Sequence, residues 1–575
     1  MKNLIIIGIC IFFYALSSSC TKVTNFLDKP PGIDVTEDTI FTTQINAETF
    51  LMNCYSRATY CDLPNWDEND GKKDVALAAS TDESISTCGW YWDATCWNIG
   101  DITPNNTDLT DTRWLARWNG IRSCNIFLER ISSVPKTDPG YINPAKGQAM
   151  WLRALSYFEL LKRYGGVPIV KKRFLTTDNF KIPRSTFKET VDFIVTQCDS
   201  AASLLPDIWP SVYRGKATKG AALMLKARTL LYAASPEFNT STPYLDLGNN
   251  NNLICYGDYD VNRWQQAADA AKAVIDWAPA GSISLVTTAT SPKPYQYIWE
   301  THDNSEIILS NKYGGSQYET AQCIYWMTPP SIYYGEGGCT VTFNWQKLYE
   351  NKTTGQPQNW NPNGGNNLSA MYDQLDPRFG QTIAYNGSYW NTDYTNIETY
   401  QGGQEEERCL GGAWVHKFFP SALTWTNVYF VPNWWWYRLA EAYLNYAEAL
   451  NEAQGPVAEA YAAVNIIRQR AGMPDFPAGL TKEQFRNKLR NERSVELAFE
   501  EHRFWDVRRW LIADNEGIMN GKMYGLKITE NPPPSTEFSY VPYVIESHVF
   551  TKKMYLHPFP KNEVNKGYLV QNPGY

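Results

Sequence analysis

Three glutamates are spaced four residues apart near the C-terminus: Glu492, Glu496 and Glu500. Spacing of four places side chains on one helix face, with Cβ atoms about 6 Å apart. Two carboxyl groups at such a distance are what a glycoside hydrolase uses. That reaction needs the groups on opposite faces of the sugar, whereas these three project in parallel. Because Arg493 and Arg503 lie within reach, we predict a partly buried ion network that supports the fold.

Other catalytic patterns do not stand out in the sequence. The five histidines form no Ser/His/Asp order and no metal-ligand cluster, and no phosphate-binding loop is present. Adjacent acids occur at Asp82–Glu83 and at 405–407, which is more typical of a solvated surface than of a catalytic cleft. No EF-hand loop or zinc spacing occurs. We therefore predict that the protein is not an enzyme, and we assign no catalytic residue, cofactor or metal.

The N-terminus has the pattern of an export signal. Lys2 precedes an apolar run from 4 to 16, which is too short to span a bilayer and is followed by three serines and Cys20. The pattern predicts a lipoprotein signal peptide over 1–19, with Cys20 lipidated as the new N-terminus. The large apolar residue lies four places before the cysteine, one more than is usual. An ordinary secretory signal is the alternative.

Composition narrows the class of protein. The net charge of −8 and the pI near 5.4 argue against nucleic acid as a partner. The hydrophobic fraction of 43% suits a well-buried core, and 14% of the residues are aromatic. Among twelve cysteines, the closest pairs are Cys54/Cys61 and Cys88/Cys96, which the oxidising environment of an exported chain could join as disulfides. We expect most cysteines to be free and buried.

Helical patterns fill two regions of the chain. The predicted helices are 47–59, 114–130, 145–164, 186–205, 216–234 and 263–277, then 434–451, 457–471 and 481–510. Capping boxes begin the helices at Thr186 and Thr481. Residues 279–433 are rich in Gly, Asn, Pro, Tyr and Trp, and the tail from Lys527 is predicted as a loop. The fold class is therefore mainly α: a tetratricopeptide-like scaffold from 20–278 and 434–575, with an irregular, loop-rich insert at 279–433, all in one domain.

Several segments resemble the SusD/RagB family of surface glycan-binding lipoproteins of the Bacteroidetes. They are 151–158 running into 162–168, 438–449 followed by 464–468, 491–500 running to 510, and the C-terminal 571–575. The resemblance implies tetratricopeptide-like helices packed against an irregular remainder. It also implies a protein anchored in the outer membrane, facing the exterior, that binds oligosaccharide and delivers it to a SusC-like TonB-dependent transporter. A surface glycoside hydrolase and a peptide-handling or adhesive lipoprotein are the alternatives.

A glycan site needs flat rings against the C–H faces of the sugar and polar groups for its hydroxyls. Two loop segments have this mixture, 82–101 and 313–334, and the resemblance implies the same two regions. The candidate glycan-binding residues are Trp90, Tyr91, Trp92, Trp97, Asn98, Tyr325, Trp326, Tyr333 and Tyr334. Core packing is the alternative for each aromatic residue. For Trp434–Trp436 we predict burial, and Trp360 and Trp390 are weaker candidates.

Overall fold

A computed structural model describes residues 37–58, 77–87, 92–107, 113–311, 327–333, 335–427 and 433–575. Its α-helices are α1 Glu37–Ile40, α2 Gln44–Ala58, α3 Trp92–Asn98, α4 Trp114–Arg130, α5 Ile142–Tyr164, α6 Phe187–Leu204, α7 Lys219–Ala234, α8 Asn262–Trp277, α9 Pro294–Glu300, α10 Phe343–Gln346, α11 Leu368–Asp373, α12 Arg378–Thr382, α13 Leu439–Gln454, α14 Ala458–Ala471, α15 Lys482–Glu496, α16 Arg503–Arg509 and α17 Lys561–Val564. Its strands are β1 Ser84–Ile85, β2 Ile307–Ser310, β3 Thr340–Val341, β4 Ile383–Tyr385, β5 Ala413–Val415, β6 Trp435–Arg438, β7 Gly521–Glu530 and β8 Phe538–His548. The fold is mainly α, as predicted. Among the described residues, no helix combines the length and apolar character needed to cross a bilayer.

The helical scaffold is built from consecutive helices that pack side by side. Helix α5 packs on α4 and α6, α7 packs on α6 and α8, and α13 packs back on α8. The last twelve residues of α5 are all buried, so this helix lies at the centre of the layer. Its end is set by Gly165, whose φ of 76° suits a residue without a Cβ. The predicted capping box is confirmed at α6, where the Thr186 hydroxyl accepts from the Glu189 N–H at 3.1 Å.

Three predicted elements are wrong. The predicted helix over 434–451 begins as strand β6, because this aromatic run pairs with β2 and the helix starts only at Leu439. The predicted helix over 481–510 breaks after Glu496, because Phe499 and Glu501 adopt positive φ values of 58° and 63°. The tail from Lys527 is a loop only in part. Residues 527–530 and 538–548 belong to the long antiparallel hairpin β7–β8, whose buried and exposed residues partly alternate.

The insert contains short helices and strands β3, β4 and β5, which form a four-stranded sheet of order β1-β3-β5-β4 with β1 from the N-terminal part of the chain. Its core is aromatic, with Trp299, Trp345, Trp390 and Trp414 all fully buried. Trp434 and Trp435 are buried, as predicted, whereas Trp436 is only partly buried. Much of the aromatic content therefore fills the interior of the insert, where large rings bury the most apolar area per residue.

The three glutamates spaced by four form the predicted ion network, and all are buried. Glu492 pairs with Arg378 at 2.6 Å and Glu500 with Arg438 at 2.7 Å, while Glu496 contacts both of these arginines. The predicted partners differ. Arg493 instead pairs with Asp506, and Arg503 with Asp82, both at 2.7 Å. The network joins the insert to the C-terminal helices.

Buried ion pairs make the stability of this protein sensitive to acid. Burial alone would raise the pKa of Glu448, but Arg509 at 2.5 Å outweighs that effect and lowers the pKa to about 2. The folded state thus binds this proton more weakly than the unfolded chain, whose carboxyl has a pKa of 4.5. The contribution of this ion pair to stability is full above pH 4.5 and falls as pH drops from 4.5 towards 2. Urea unfolding at pH 7, 4 and 3 should show a decreasing midpoint, and an unchanged midpoint at pH 3 contradicts the assignment.

The cysteines in the described part of the chain are free and buried: Cys54, Cys96, Cys124, Cys198, Cys255, Cys339 and Cys409. Cys61 and Cys88, the other members of the two closest pairs, lie outside the described residues. Burial raises the pKa of the Cys198 and Cys409 thiols, so both are held as neutral apolar groups.

Candidate functional site

The structure describes some of the predicted glycan-binding residues in full, one of them without its side chain, and the others not at all. Trp92 is the first residue of α3, but its side chain is not described. Trp97, Asn98 and Tyr333 are described with their surroundings. The others lie outside the described residues, namely Trp90, Tyr91, Tyr325, Trp326 and Tyr334.

Trp97 and Asn98 are buried at the end of α3, contrary to the expectation that they face a ligand. The Trp97 ring is 2% exposed and lies edge-on to Phe504, with centroids 5.0 Å apart. The guanidinium of Arg508 stacks 5.1 Å from the same ring. The amide of Asn98 donates to the carbonyl of Ala79 at 3.1 Å. Both side chains pack inside the protein, where a sugar does not reach them.

Tyr333 is also largely buried, with 7% of its surface exposed. Its hydroxyl donates to the Leu423 carbonyl at 2.6 Å and accepts from the Asn391 amide at 2.8 Å. Burial raises the pKa of this phenol, which stays neutral. Its ring centroid lies 5.0 Å from that of Trp425, at an interplanar angle of 69°. Tyr333 therefore supports another ring and does not itself reach solvent.

The turn that carries Tyr333 is fixed by backbone contacts. The Thr328 hydroxyl donates to the Ile332 carbonyl at 3.0 Å, and the Gly337 N–H donates to the Thr328 carbonyl at 2.8 Å. A Cβ on Gly335 would lie 2.2 Å from that same carbonyl oxygen, so only glycine fits there. This close approach of backbone to backbone defines the position of the Tyr333 ring.

Trp425 is the ring that reaches solvent, with 46% of its surface exposed. Its backbone N–H donates to Asp393 at 2.7 Å, and the turn closes between Thr424 and Asn427. The Asn427 amide also donates to the Ala422 carbonyl at 2.8 Å. The ring is thus held at a defined position on a short turn. Sequence reasoning missed it, although a tryptophan among small polar residues in the loop-rich insert was a usable signal.

We define the Trp425 platform as Trp425 with the residues that support it, Tyr333, Tyr394, Asn391 and Asp393. Tyr394 lies edge-on to Tyr333, with centroids 5.4 Å apart. Tyr333 is itself a predicted site residue, and Tyr334, another one, follows it directly in sequence. An exposed flat ring beside the exposed carboxylate of Asp393 can cover the apolar face of a sugar and bond its hydroxyls.

The acids noted in the sequence are not arranged for catalysis. Asp82 and Glu83 are 3% and 1% exposed, so the expectation of a solvated surface there is wrong. Asp82 is held by Arg503, and Glu83 accepts from the Phe499 N–H at 2.8 Å. Burial raises the pKa of Glu83 to about 8, which keeps the group neutral near pH 7. In the run 405–407, Glu405 is buried and accepts from the Ser331 hydroxyl at 3.2 Å, whereas Glu406 and Glu407 are exposed as expected.

Two family models match the chain. The SusD family matches residues 298–575, and a family described as starch-binding associating with outer membrane matches residues 25–231. A curated relative, the SusD-like protein P38 of Formosa agariphila, is 24% identical over 503 residues, which are 81% of this chain and 88% of that protein.

Solved structures agree with these matches. A SusD-like protein of Bacteroides fragilis has 27% identity and a TM-score of 0.77, covering 95% of this chain and 100% of that one. A laminarin-binding SusD-like protein has 20% identity and a TM-score of 0.63, covering 93% and 100%. Since the two family models together span most of the sequence, and both belong to the same group of proteins, this chain is a member of the SusD/RagB family.

Proposed function

We propose that this protein is a cell-surface lipoprotein that binds oligo- or polysaccharide at the Trp425 platform and hands it to a SusC-like TonB-dependent transporter. The observation that carries the proposal is the half-exposed Trp425 ring, fixed by Asp393 and supported by Tyr333. Carbohydrate binding is the role of this family, and one structural neighbour binds laminarin. The transporter and the exterior location rest on family membership and on the outer-membrane association of the second family model.

We infer further that binding occurs without hydrolysis. Most of the acids noted in the sequence are buried among cations or backbone donors: Asp82, Glu83, Glu492, Glu496 and Glu500. Glu406 and Glu407 are exposed neighbours on one surface turn. Hydrolysis needs two carboxyl groups that flank a sugar in an accessible cleft. Release of reducing sugar from laminarin, amylopectin or another neutral polysaccharide would favour the hydrolase alternative. Lack of retardation by every polysaccharide would favour a peptide-handling or adhesive role.

Trp425→Ala should weaken glycan binding about tenfold, since one aromatic contact contributes about 1 to 1.5 kcal/mol. The measurement is affinity electrophoresis in gels that contain laminarin, amylopectin or other neutral polysaccharides. Tyr259→Ala is the matched control, because Tyr259 is another exposed aromatic residue, 60% exposed, on a different loop. Equal retardation of wild type and Trp425→Ala, with Tyr259→Ala also unchanged, would place the site elsewhere.

Cys20→Ala should release the protein from the outer membrane. Residues 1–36 lie outside the described residues, so the anchor is proposed from the sequence pattern alone. One acyl chain binds membranes with an association constant of only about 10⁴ M⁻¹, so firm anchoring needs the several chains of a bacterial lipoprotein. Membrane fractionation followed by immunoblotting is the readout. Cys10→Ala, a change within the same leader, should leave the protein in the membrane fraction, and retention of Cys20→Ala there contradicts the anchor.

A further inference from the structure

A short turn between helices α6 and α7 separates two cavities in the helical scaffold. The turn is the 3₁₀ segment Ser211–Tyr213. The larger cavity has a volume of about 510 Å³ and is lined by Glu48, Met52, Tyr55, Ser56, Asn311 and Trp436, among others. The smaller one, about 280 Å³, lies against Trp209, Trp277 and strand β2. Tyr213 lines both, so we name this feature the Tyr213 cleft.

The turn presents apolar surface to solvent. Val212 is 81% exposed and Tyr213 is 47% exposed. The ammonium group of Lys216 lies 4.3 Å from the centroid of the Tyr213 ring, and the edge of that ring contacts Trp209. These contacts fix the Tyr213 side chain between the two cavities, and nearly half of its surface remains accessible to solvent.

The charged groups of the cleft are paired with one another. Lys216 and Glu48 lie 2.5 Å apart, and Arg214 and Asp303 lie 3.2 Å apart. Glu48 also accepts a hydrogen bond from the Tyr141 hydroxyl at 3.0 Å. Asp207, in the smaller cavity, accepts a hydrogen bond from the Trp277 indole at 2.7 Å and lies 3.9 Å from Lys219. Each charged group of the lining therefore has a counter-charge nearby, and the cleft offers polar donors and acceptors without a large net charge. Such a lining suits an uncharged polar ligand better than a phosphate, a sulfated chain or a charged peptide.

We infer that the Tyr213 cleft is a second carbohydrate subsite, for a neutral glycan, separate from the Trp425 platform. A volume of about 510 Å³ is within the range of small-molecule sites, about 300–1,000 Å³. Tyr213 and Trp436 supply flat apolar surface, while Ser56, Ser310 and Asn311 supply hydroxyl and amide groups. The inference rests on the proposed function, because it assumes that the protein binds glycans.

Titration calorimetry with a neutral oligosaccharide from laminarin or amylopectin tests the inference, using whichever polysaccharide retards the wild type in gels. Wild type should bind two oligosaccharides per protein. The Tyr213→Ala and Trp425→Ala variants should each bind one oligosaccharide. In gels that contain the polysaccharide, the affinity of Tyr213→Ala should be about three- to tenfold lower than that of the wild type. Tyr259→Ala again serves as the control and should bind two.

A second variant guards against a folding defect in Tyr213→Ala. Ser56 is exposed on α2 and lines the larger cavity, so Ser56→Arg puts a long side chain into the cleft and removes no packing. Arginine is also a good helix former. Ser56→Arg should bind one oligosaccharide with an unchanged melting temperature. Two sites retained in both Tyr213→Ala and Ser56→Arg overturn the inference and leave the Trp425 platform intact, whereas a wild type that binds no glycan overturns the proposed function and this inference together.

Discussion

Glu496→Gln should lower the free energy of unfolding by about 3–5 kcal/mol, since it removes one partner from a buried ion network. One carboxylate oxygen of Glu496 accepts from Arg438 at 2.6 Å and also from Arg470, and the other accepts from Arg378 at 3.0 Å. Burial alone would raise the pKa of Glu496, but these three guanidinium groups hold it well below its ordinary value. The carboxylate is therefore charged, and glutamine leaves the arginines with less negative charge in a site that water does not reach.

Guanidinium chloride unfolding at pH 7 measures this effect. Glu483→Gln is the matched control, because Glu483 lies on the same helix α15 but is exposed. Its effect should stay within about 0.5 kcal/mol. A loss below 1 kcal/mol for Glu496→Gln would mean that the network relaxes or admits water, and that its charges are not essential to the fold.

Trp97→Ala should destabilise the protein by about 3–5 kcal/mol, since it removes a fully enclosed aromatic side chain and leaves a cavity. The ring contacts Phe504 and the guanidinium of Arg508, both on α16, and also His557, so two segments distant from it in sequence lose a shared partner. Thermal unfolding monitored by circular dichroism is the measurement. An unchanged melting temperature would show that Trp97 is not part of the core.

Comparison with Trp425→Ala separates packing from recognition. The two variants make the same chemical change, at a side chain that is 2% exposed and at one that is 46% exposed. We expect Trp97→Ala to lose stability and Trp425→Ala to lose glycan affinity while keeping its melting temperature within a few degrees. A loss of affinity by refolded Trp97→Ala, with full stability, would restore the original sequence-based assignment of that residue.

Local signals predicted the scaffold well. Helix α4 runs over Trp114–Arg130 as expected, and the capping boxes at Thr186 and Thr481 both form. These features depend on residues a few positions apart, which a sequence displays directly. The strand Trp435–Arg438 did not appear in the prediction, because it exists only through pairing with residues about 130 positions earlier. The residue pattern of this run is compatible with a helix as well as with a strand, and pairing with β2 decides in favour of the strand.

The site was harder to predict than the scaffold. Exposure decides whether an aromatic residue meets a ligand, and exposure depends on distant contacts. Trp97 and Trp425 have similar polar neighbours in sequence, but Phe504 and His557 cover the first, whereas Tyr333 supports the second from below. Composition pointed to aromatic residues and to the loop-rich insert, but it did not indicate which individual rings are exposed.

The ion network also constrains how this protein can be re-engineered. Arg378 and Glu306 belong to the insert, and their partners Glu496 and Arg470 belong to the C-terminal helices. A graft that exchanged residues 279–433 for the corresponding piece of another protein would deprive Glu496 and Arg470 of these partners unless the new piece also supplied an arginine and a glutamate at the two positions. Glycan specificity is therefore best altered by substitutions in the short turn around Trp425, while Arg378 and Glu306 are kept so that the insert stays ion-paired to the C-terminal helices.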